Sequence, residues 1–561
     1  MKKSVSYNQK CIKTSKEISS KSKAFFTPIV AGSLAMMLST SIANAGVCFG
    51  DSLVCLEAPG IGGNVSGGTV GSLSFEDLNS SGVFVAKYIG SGSGNNSIIE
   101  ELKFGYGSYN TSNAGHVDGI WSNTPTPTYT VNGYATNAEL SLGKGASKAL
   151  QIGQNGTGNL SVDFGATEQR KFSLKLANTA NANFAFKGNI KLKNNGATSS
   201  FIADLNKDMI GNLSIAGTSS HTSTVKFTEG GGLQGNILTT NGNNNFTFEG
   251  GSGGKIIGNI NASNSTNTFT FKAQTNSIQG NITAGNSGTN NVTVENTNSL
   301  NIGASGQPIT IEAKSSSTSN PASNTFTATN GATNITAQNI LAVYGKNTIN
   351  AKTLTLTADT LKANGTTSNV DLTQNIIKTT ETSSVTARLI EAISGKNTIT
   401  LAGANSTFTA NGDITTTGGQ NTITLAGTGS TFTANGSIIA NVGSNTISVA
   451  QGTATIGKSG ALVDILAGGN SPTNSIAAKT LSVDAGRIAL QGQIGNTGAI
   501  TLTASENANI KAKSIYAEYG KNTITAKTLT LTAGALKANG TTSNIDLTQN
   551  TIEATNSGNA T

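Results

Sequence analysis

Short runs in which Ile, Leu, Val or Phe hold every second position recur along the chain, as in NTFTF, NTITL and KTLTLT, with Thr, Ser or Asn between them. A period of two predicts strands with one buried and one solvent-facing side, and no helical pattern competes with it. The runs are themselves periodic. The tripeptide Gly-Asn-(Ile/Leu) starts at Gly188, Gly211, Gly235, Gly258 and Gly280, in steps of 23, 24, 23 and 22 residues. Between these marks lie the apolar alternations Phe184/Phe186, Val225/Phe227, Phe246/Phe248, Phe269/Phe271 and Val292/Val294. Farther on, NTITLAGANSTFTANGDI at 397–414 returns as NTITLAGTGSTFTANGSI at 421–438, and a weaker NTISVAQG begins at Asn445, each step being 24.

Short strands at a period of 22–24, separated by Gly/Asn/Ser turns, predict an all-β chain folded as a right-handed parallel β-helix whose coils stack through main-chain hydrogen bonds. Ile, Leu, Val and Phe then point inward and Thr and Ser outward, while Gly and Asn take left-handed turn conformations. Asn recurring at equal steps is expected to stack into side-chain ladders. Residues 181–561 give roughly 16 coils at about 23 residues each, a rod of order 80 Å at about 4.8 Å per coil. A larger copy overlies the small one: residues 344–375 return at 519–550, displaced by 175, with 28 of 32 positions the same. The chain ends eleven residues after the second copy, which is expected to make it a fragment, since natural solenoids cap their last coil.

Composition excludes several classes. Only 11% of the residues are charged and Gly, at 68 of 561, has no Gly-X-Y period, so coiled coils, ordinary helical enzymes and collagen all fail. The formal charge of +8 belongs mostly to the leader. Lys2, Lys3, Lys10, Lys13, Lys16, Lys21 and Lys23 precede an apolar stretch from about residue 25 to 42, and Ala43-Asn44-Ala45 is a small-residue cleavage site, so residues 1–45 read as a signal peptide. Its removal leaves 36 − 7 = 29 basic and 28 − 1 = 27 acidic residues, a net charge of +2 that argues against a nucleic-acid partner.

Export also frames the cysteines: Cys48 and Cys55 are expected to form one disulfide closing a small loop. With His116 and His221 as the only histidines, no zinc-type ligand set can be assembled by spacing, and no cofactor is expected. Residues 46–180 differ from the repeats and read as an N-terminal cap or binding head. They hold Trp121, His116, Tyr129 and Tyr134, the expected binding residues, because interfaces concentrate their energy in aromatic and Arg anchors that the repeats lack.

Two catalytic readings are weighed on the same residues. Phe49-Gly50-Asp51-Ser52-Leu53 matches the nucleophile block of GDSL esterases, which would make Ser52 the nucleophile, but neither histidine stands three residues after an Asp to supply the base. A carbohydrate-active β-helix enzyme needs carboxylates converging on one face. The nearest cluster is Asp204 and Asp208 beside Lys207, which reads better as a solvated turn.

The extended basic leader, the Gly-Asn-(Ile/Leu) coils and the NTITL and NTFTF strands resemble the passenger regions of autotransporters, in particular vacuolating-cytotoxin-like and related toxin-like outer-membrane proteins. The likeness covers nearly the whole chain and is one of pattern. It implies export through the inner membrane, passage across the outer membrane by a C-terminal β-barrel, and display for adhesion or action on host cells through a cell-surface receptor or glycan. No run of amphipathic strands of about ten residues follows the repeats, so the translocator barrel is expected in a missing C-terminal part or in a separate protein. The expected function is a surface-exposed or secreted passenger, adhesive or toxin-like and not enzymatic. The alternatives are the β-helix enzyme and a passive surface-layer or filament protein.

Overall fold

A computed structural model describes residues 186–561 apart from the short stretches 195–197, 205–207, 229–231, 250–253, 297, 317–320, 366–371, 459, 493–497 and 540–547. Before residue 186 it describes the strands Ser72–Phe75, Thr128–Asn132, Asn137–Leu142, Leu150–Gln151, Asn159–Asp163 and Arg170–Leu176. The described elements are all strands, and strands of successive coils pair in parallel, so the chain is an all-β parallel solenoid. One coil shows the plan. Gly254–Ile257, Ile260–Ser263 and Thr266–Phe271 form its three sides and pair with Thr275–Gln279, Ile282–Gly285 and Thr289–Val294 of the next. The pairing reaches back before residue 181, where Asn159–Asp163 lies against Asn189–Asn194.

The period-two pattern places the core. Ile399 pairs with Ile423 and Leu401 with Leu425, all essentially inaccessible, as the NTITL repeat requires. Val225, Phe246, Phe269, Val292 and Phe326 form one inward column. In-register phenylalanines stack nearly flat: Phe246 on Phe269 at 4.7 Å, and Phe227 on Phe248 on Phe271 at 4.8 and 4.7 Å. Burying such a ring contributes about 1.5–3 kcal/mol.

Two expectations need correction. Phe186 does not occupy the place of Val225: it pairs with Met209 in a short strand just before the Gly-Asn corner, and the preceding counterparts of Val225 and Phe227 are Phe201 and Ala203. Phe186 stands two residues before Gly188 whereas Val225 stands ten before Gly235, so the two lie on different sides of the coil. Phe184 is outside the described residues. Nor is the coil size constant. Between Asn244 and Asn474 equivalent residues are 22 to 34 apart, and the longest coil carries a small hairpin closed by Ala304 and Gln307. A solenoid tolerates such insertions at corners because only in-register strands must match, so the coils are fewer than a uniform period implies.

The Gly-Asn corner follows from close stacking. Gly258 has φ of +147°, and a Cβ there would lie 2.2 Å from the Gly235 carbonyl oxygen directly below. The following Asn ties the corners together. The Asn189 Oδ1 accepts the Asn212 N–H, Asn212 that of Asn236, Asn236 that of Asn259, and Asn259 that of Asn281, at 2.8–2.9 Å.

A second asparagine column lies inside. Asn244, Asn267, Asn290, Asn324, Asn347, Asn375, Asn397, Asn421, Asn445 and Asn474 are all buried. From Asn244 to Asn445 each Nδ2 donates to the Oδ1 one coil on, at 2.8 to 3.3 Å. The other Nδ2 hydrogen goes back to a carbonyl of the same coil in most members: Asn347 to Leu341 O at 2.7 Å, Asn397 to Glu391 O at 2.8 Å and Asn445 to Ile439 O at 3.0 Å. The amides thus satisfy one another without water, as burial demands. His221 heads the column, its Nε2 3.3 Å from Asn244 Oδ1 and its Nδ1 2.7 Å from Thr218 O.

The corner yields a testable consequence. Gly258→Ala forces a Cβ onto the Gly235 carbonyl at a strained φ and should cost at least about 1–3 kcal/mol, read as a lowered denaturation midpoint of the chain. Gly306→Asn, in a hairpin where a Cβ would meet nothing within 4 Å and at a φ of +81° that Asn adopts more readily than other side chains, should lower the midpoint much less.

Candidate binding surface

Once the apolar half of each strand is buried, the other half forms the surface, and stacking in register turns each outward position into a row. On the side that carries Phe408 and Phe432, the outward residues Ser384, Thr407, Thr431, Thr453 and Thr480 stand in one row and Thr386, Thr409, Thr433, Thr455 and Ser482 in the next. All ten are exposed or half-exposed. Strands lie about 4.8 Å apart and alternate residues about 6.6 Å apart, so the patch is a grid of hydroxyls and methyls with no charge in either row. The Thr407 Oγ1 donates to Ser384 Oγ at 2.9 Å. A second grid lies on the side carrying the buried asparagines, with Thr398, Thr422 and Thr446 beside Thr400, Thr424 and Ser448.

Charged side chains pair mainly from coil to coil. Glu249 lies 3.0 Å from Lys226 on one side and 3.5 Å from Lys272 on the other. The Lys226 hydrogen bond, opposed by burial and aided by the Lys272 charge, holds its carboxyl below the ordinary range. Lys362 meets Glu391 at 2.6 Å, Arg487 meets Asp464 at 2.6 Å, and the Arg388 Nη2 donates to Asp359 Oδ2 at 2.9 Å. These groups are substantially exposed, so each pair contributes little, and together they hold register.

Asp208 is not the solvated turn its sequence neighbourhood implies. Its Oδ1 accepts the Gly232 N–H at 2.9 Å, and its Oδ2 accepts the Gln234 amide at 2.7 Å and the Lys255 ammonium at 3.2 Å. One carboxylate therefore joins three coils, which a linear reading cannot see because its partners are 24 to 47 residues away. Burial pushes this carboxyl up, and the bonds from Gln234, Gly232 and Lys255 outweigh it, so it titrates below the ordinary value. The side chain of Asp204 lies outside the described residues.

Most residues singled out from the sequence also lie outside them: Cys48, Cys55, Ser52, His116, Trp121 and Tyr134, with the leader 1–45 and most of the region 46–180. Tyr129 is placed only by its backbone, in the strand Thr128–Asn132, opposite Leu73 and Leu160. His221 is buried in the wall, not in a cleft. Among the described residues no three His, Cys, Asp or Glu side chains are grouped to hold a metal ion, and no helix is long and apolar enough to cross a membrane. No protein-family model, no curated protein and no solved structure matches the chain.

Because the folded-state pKa of Asp208 is depressed, its stabilisation is present above the ordinary value of 3.8 and is lost as pH falls through the lowered one. The urea midpoint of the wild-type chain should therefore drop as the pH falls below about 3.8, and Asp208→Asn should show a smaller drop over the same interval.

Proposed function

We propose that the chain is a surface-displayed or secreted passenger of autotransporter type, adhesive or toxin-like, and that it does no chemistry on its ligand. The observation that carries this reading is the repetition of one surface chemistry. Coil after coil presents Thr and Ser in rows, and the acidic groups of several coils are tied to neighbouring lysines and arginines. A catalytic site needs unlike groups converging on one point. A rod that repeats itself is suited to reach and display.

The aromatic residues of the N-terminal region supply the ligand anchor in this proposal, and a host-cell receptor or glycan is the partner. Hydroxyl rows contribute weak contacts that act only through number. The mature chain, residues 46–561, should bind host cells or immobilised glycans saturably. Trp121→Ala should weaken binding by about tenfold or more, as for an interface anchor, while Thr431→Lys should change it less than about twofold. The reverse pattern would move the binding site to the repeats. Release of reducing ends from a polysaccharide would favour the enzyme reading, and ordered self-assembly without ligand binding the passive one.

A further inference from the structure

The buried asparagine column is interrupted at one coil. Ile500 stands in register between Asn474 and Asn522 and is itself buried. A second replacement accompanies it. The carbonyls that take the second Nδ2 hydrogen come just before a small residue: Leu341 before Ala342, Ile439 before Ala440, Leu466 before Ala467, and Tyr516 before Ala517. In that column Ala467 is followed by Leu490 and then Ala517. Where the other coils pair a small residue with Asn, this one pairs Leu490 with Ile500. Leu490 fills the corner: a Cβ on Gly520 would lie 2.1 Å from its Cδ2, whereas on Gly345, the matching residue of the earlier copy, it would meet only carbonyls of Ala322 and Ala313 among its nearest atoms.

The hydrogen bonds on either side register the change. Asn474 Nδ2 is turned to Leu466 O at 2.6 Å and Ile438 O at 3.4 Å. Asn522 Oδ1 is buried with no donor. Its counterpart Asn347 receives the Asn324 Nδ2 at 2.9 Å. Opening the coil above gives the Asn522 oxygen to water, so that coil opens at less cost than one whose amide is satisfied.

We propose that the Leu490–Ile500 pair is a built-in boundary, across which the coils from Gly520 onward open without those that share the column from Asn244 to Asn474. In a stack held by nearest-neighbour interfaces, weakening one interface divides a single cooperative unit into two. Main-chain pairing continues across the boundary, from Gly498–Glu518 to Gly520–Ala533, so the two parts remain one rod when closed.

Hydrogen exchange on the mature chain tests this with an internal control, because residues 345–358 and Gly520–Ala533 differ in sequence only at Asn350 and Thr525. Gly520–Ala533 should exchange faster than 345–358 by about tenfold or more, the ratio for one interface hydrogen-bond pair. Fraying near the end of the chain would give the same difference, so variants decide. Leu490→Ala with Ile500→Asn restores the standard pair and should slow exchange in Gly520–Ala533 while leaving 397–425 unchanged. The reciprocal Thr416→Leu with Asn421→Ile should create a new step in exchange between the coils before and after residue 421. A restored variant that keeps its strand content but leaves Gly520–Ala533 as fast as before overturns the proposal. So does a reciprocal variant with equal exchange on both sides of residue 421, and that arm stands even if the restored variant does not fold.

Discussion

Parallel strand pairing in exact register is the constraint on which everything else rests. A coil cannot bury its own apolar side alone; it does so only against the coils above and below, so every side chain meets its equivalent. That rule makes some residues acceptable and others not. Phenylalanine stacks on phenylalanine, glycine is required where backbone meets backbone, and asparagine is one of the few polar side chains that can pair with itself, since one amide donates what the next accepts. A lone buried Thr among apolar neighbours is less well served: Thr379, between Ala351 and Leu401, and Thr416, between Ala392 and Ala440, each keep a buried hydroxyl with no partner.

Like-on-like stacking also sets the terms for charge. A column of lysines or of glutamates would repel itself, so where a charged residue occurs its neighbour is of opposite sign, as in Lys226, Glu249 and Lys272, or is uncharged. The low charge of the chain is in this sense a structural property of the stack. It leaves a surface built of hydroxyls and methyls, with stacked rows whose chemistry changes little over several coils.

What the sequence discloses depends on distance. Features set within one coil are legible: alternation assigns Ile399, Leu401, Ile423 and Leu425 to the core, and the Gly-Asn step marks a corner. Features made between coils are not. Phe186 looks like the other alternating phenylalanines until the coils are superposed, and Asp208 looks solvated until Gly232, Gln234 and Lys255 close around it. The hydroxyl rows are readable as composition, but their flat two-row arrangement appears only when insertions of different length have been placed at the corners. The aromatic residues of the N-terminal region are legible only as types, and nothing in the strand pairing says what they touch.

The duplicated block separates what a sequence specifies from what its neighbours add. Residues 344–375 and 519–550 share their strands, their left-handed tyrosine at Tyr344 and Tyr519, and an Asn whose Nδ2 reaches the next coil at 2.9 Å. They differ in what lies against them. Asn347 has a donor for its Oδ1 and Asn522 has none. Identical side chains therefore contribute differently by the satisfaction of one oxygen, about 1–3 kcal/mol. Stability in such a rod is a property of interfaces between coils, so duplicating a block copies its strands but not the strength with which they are held.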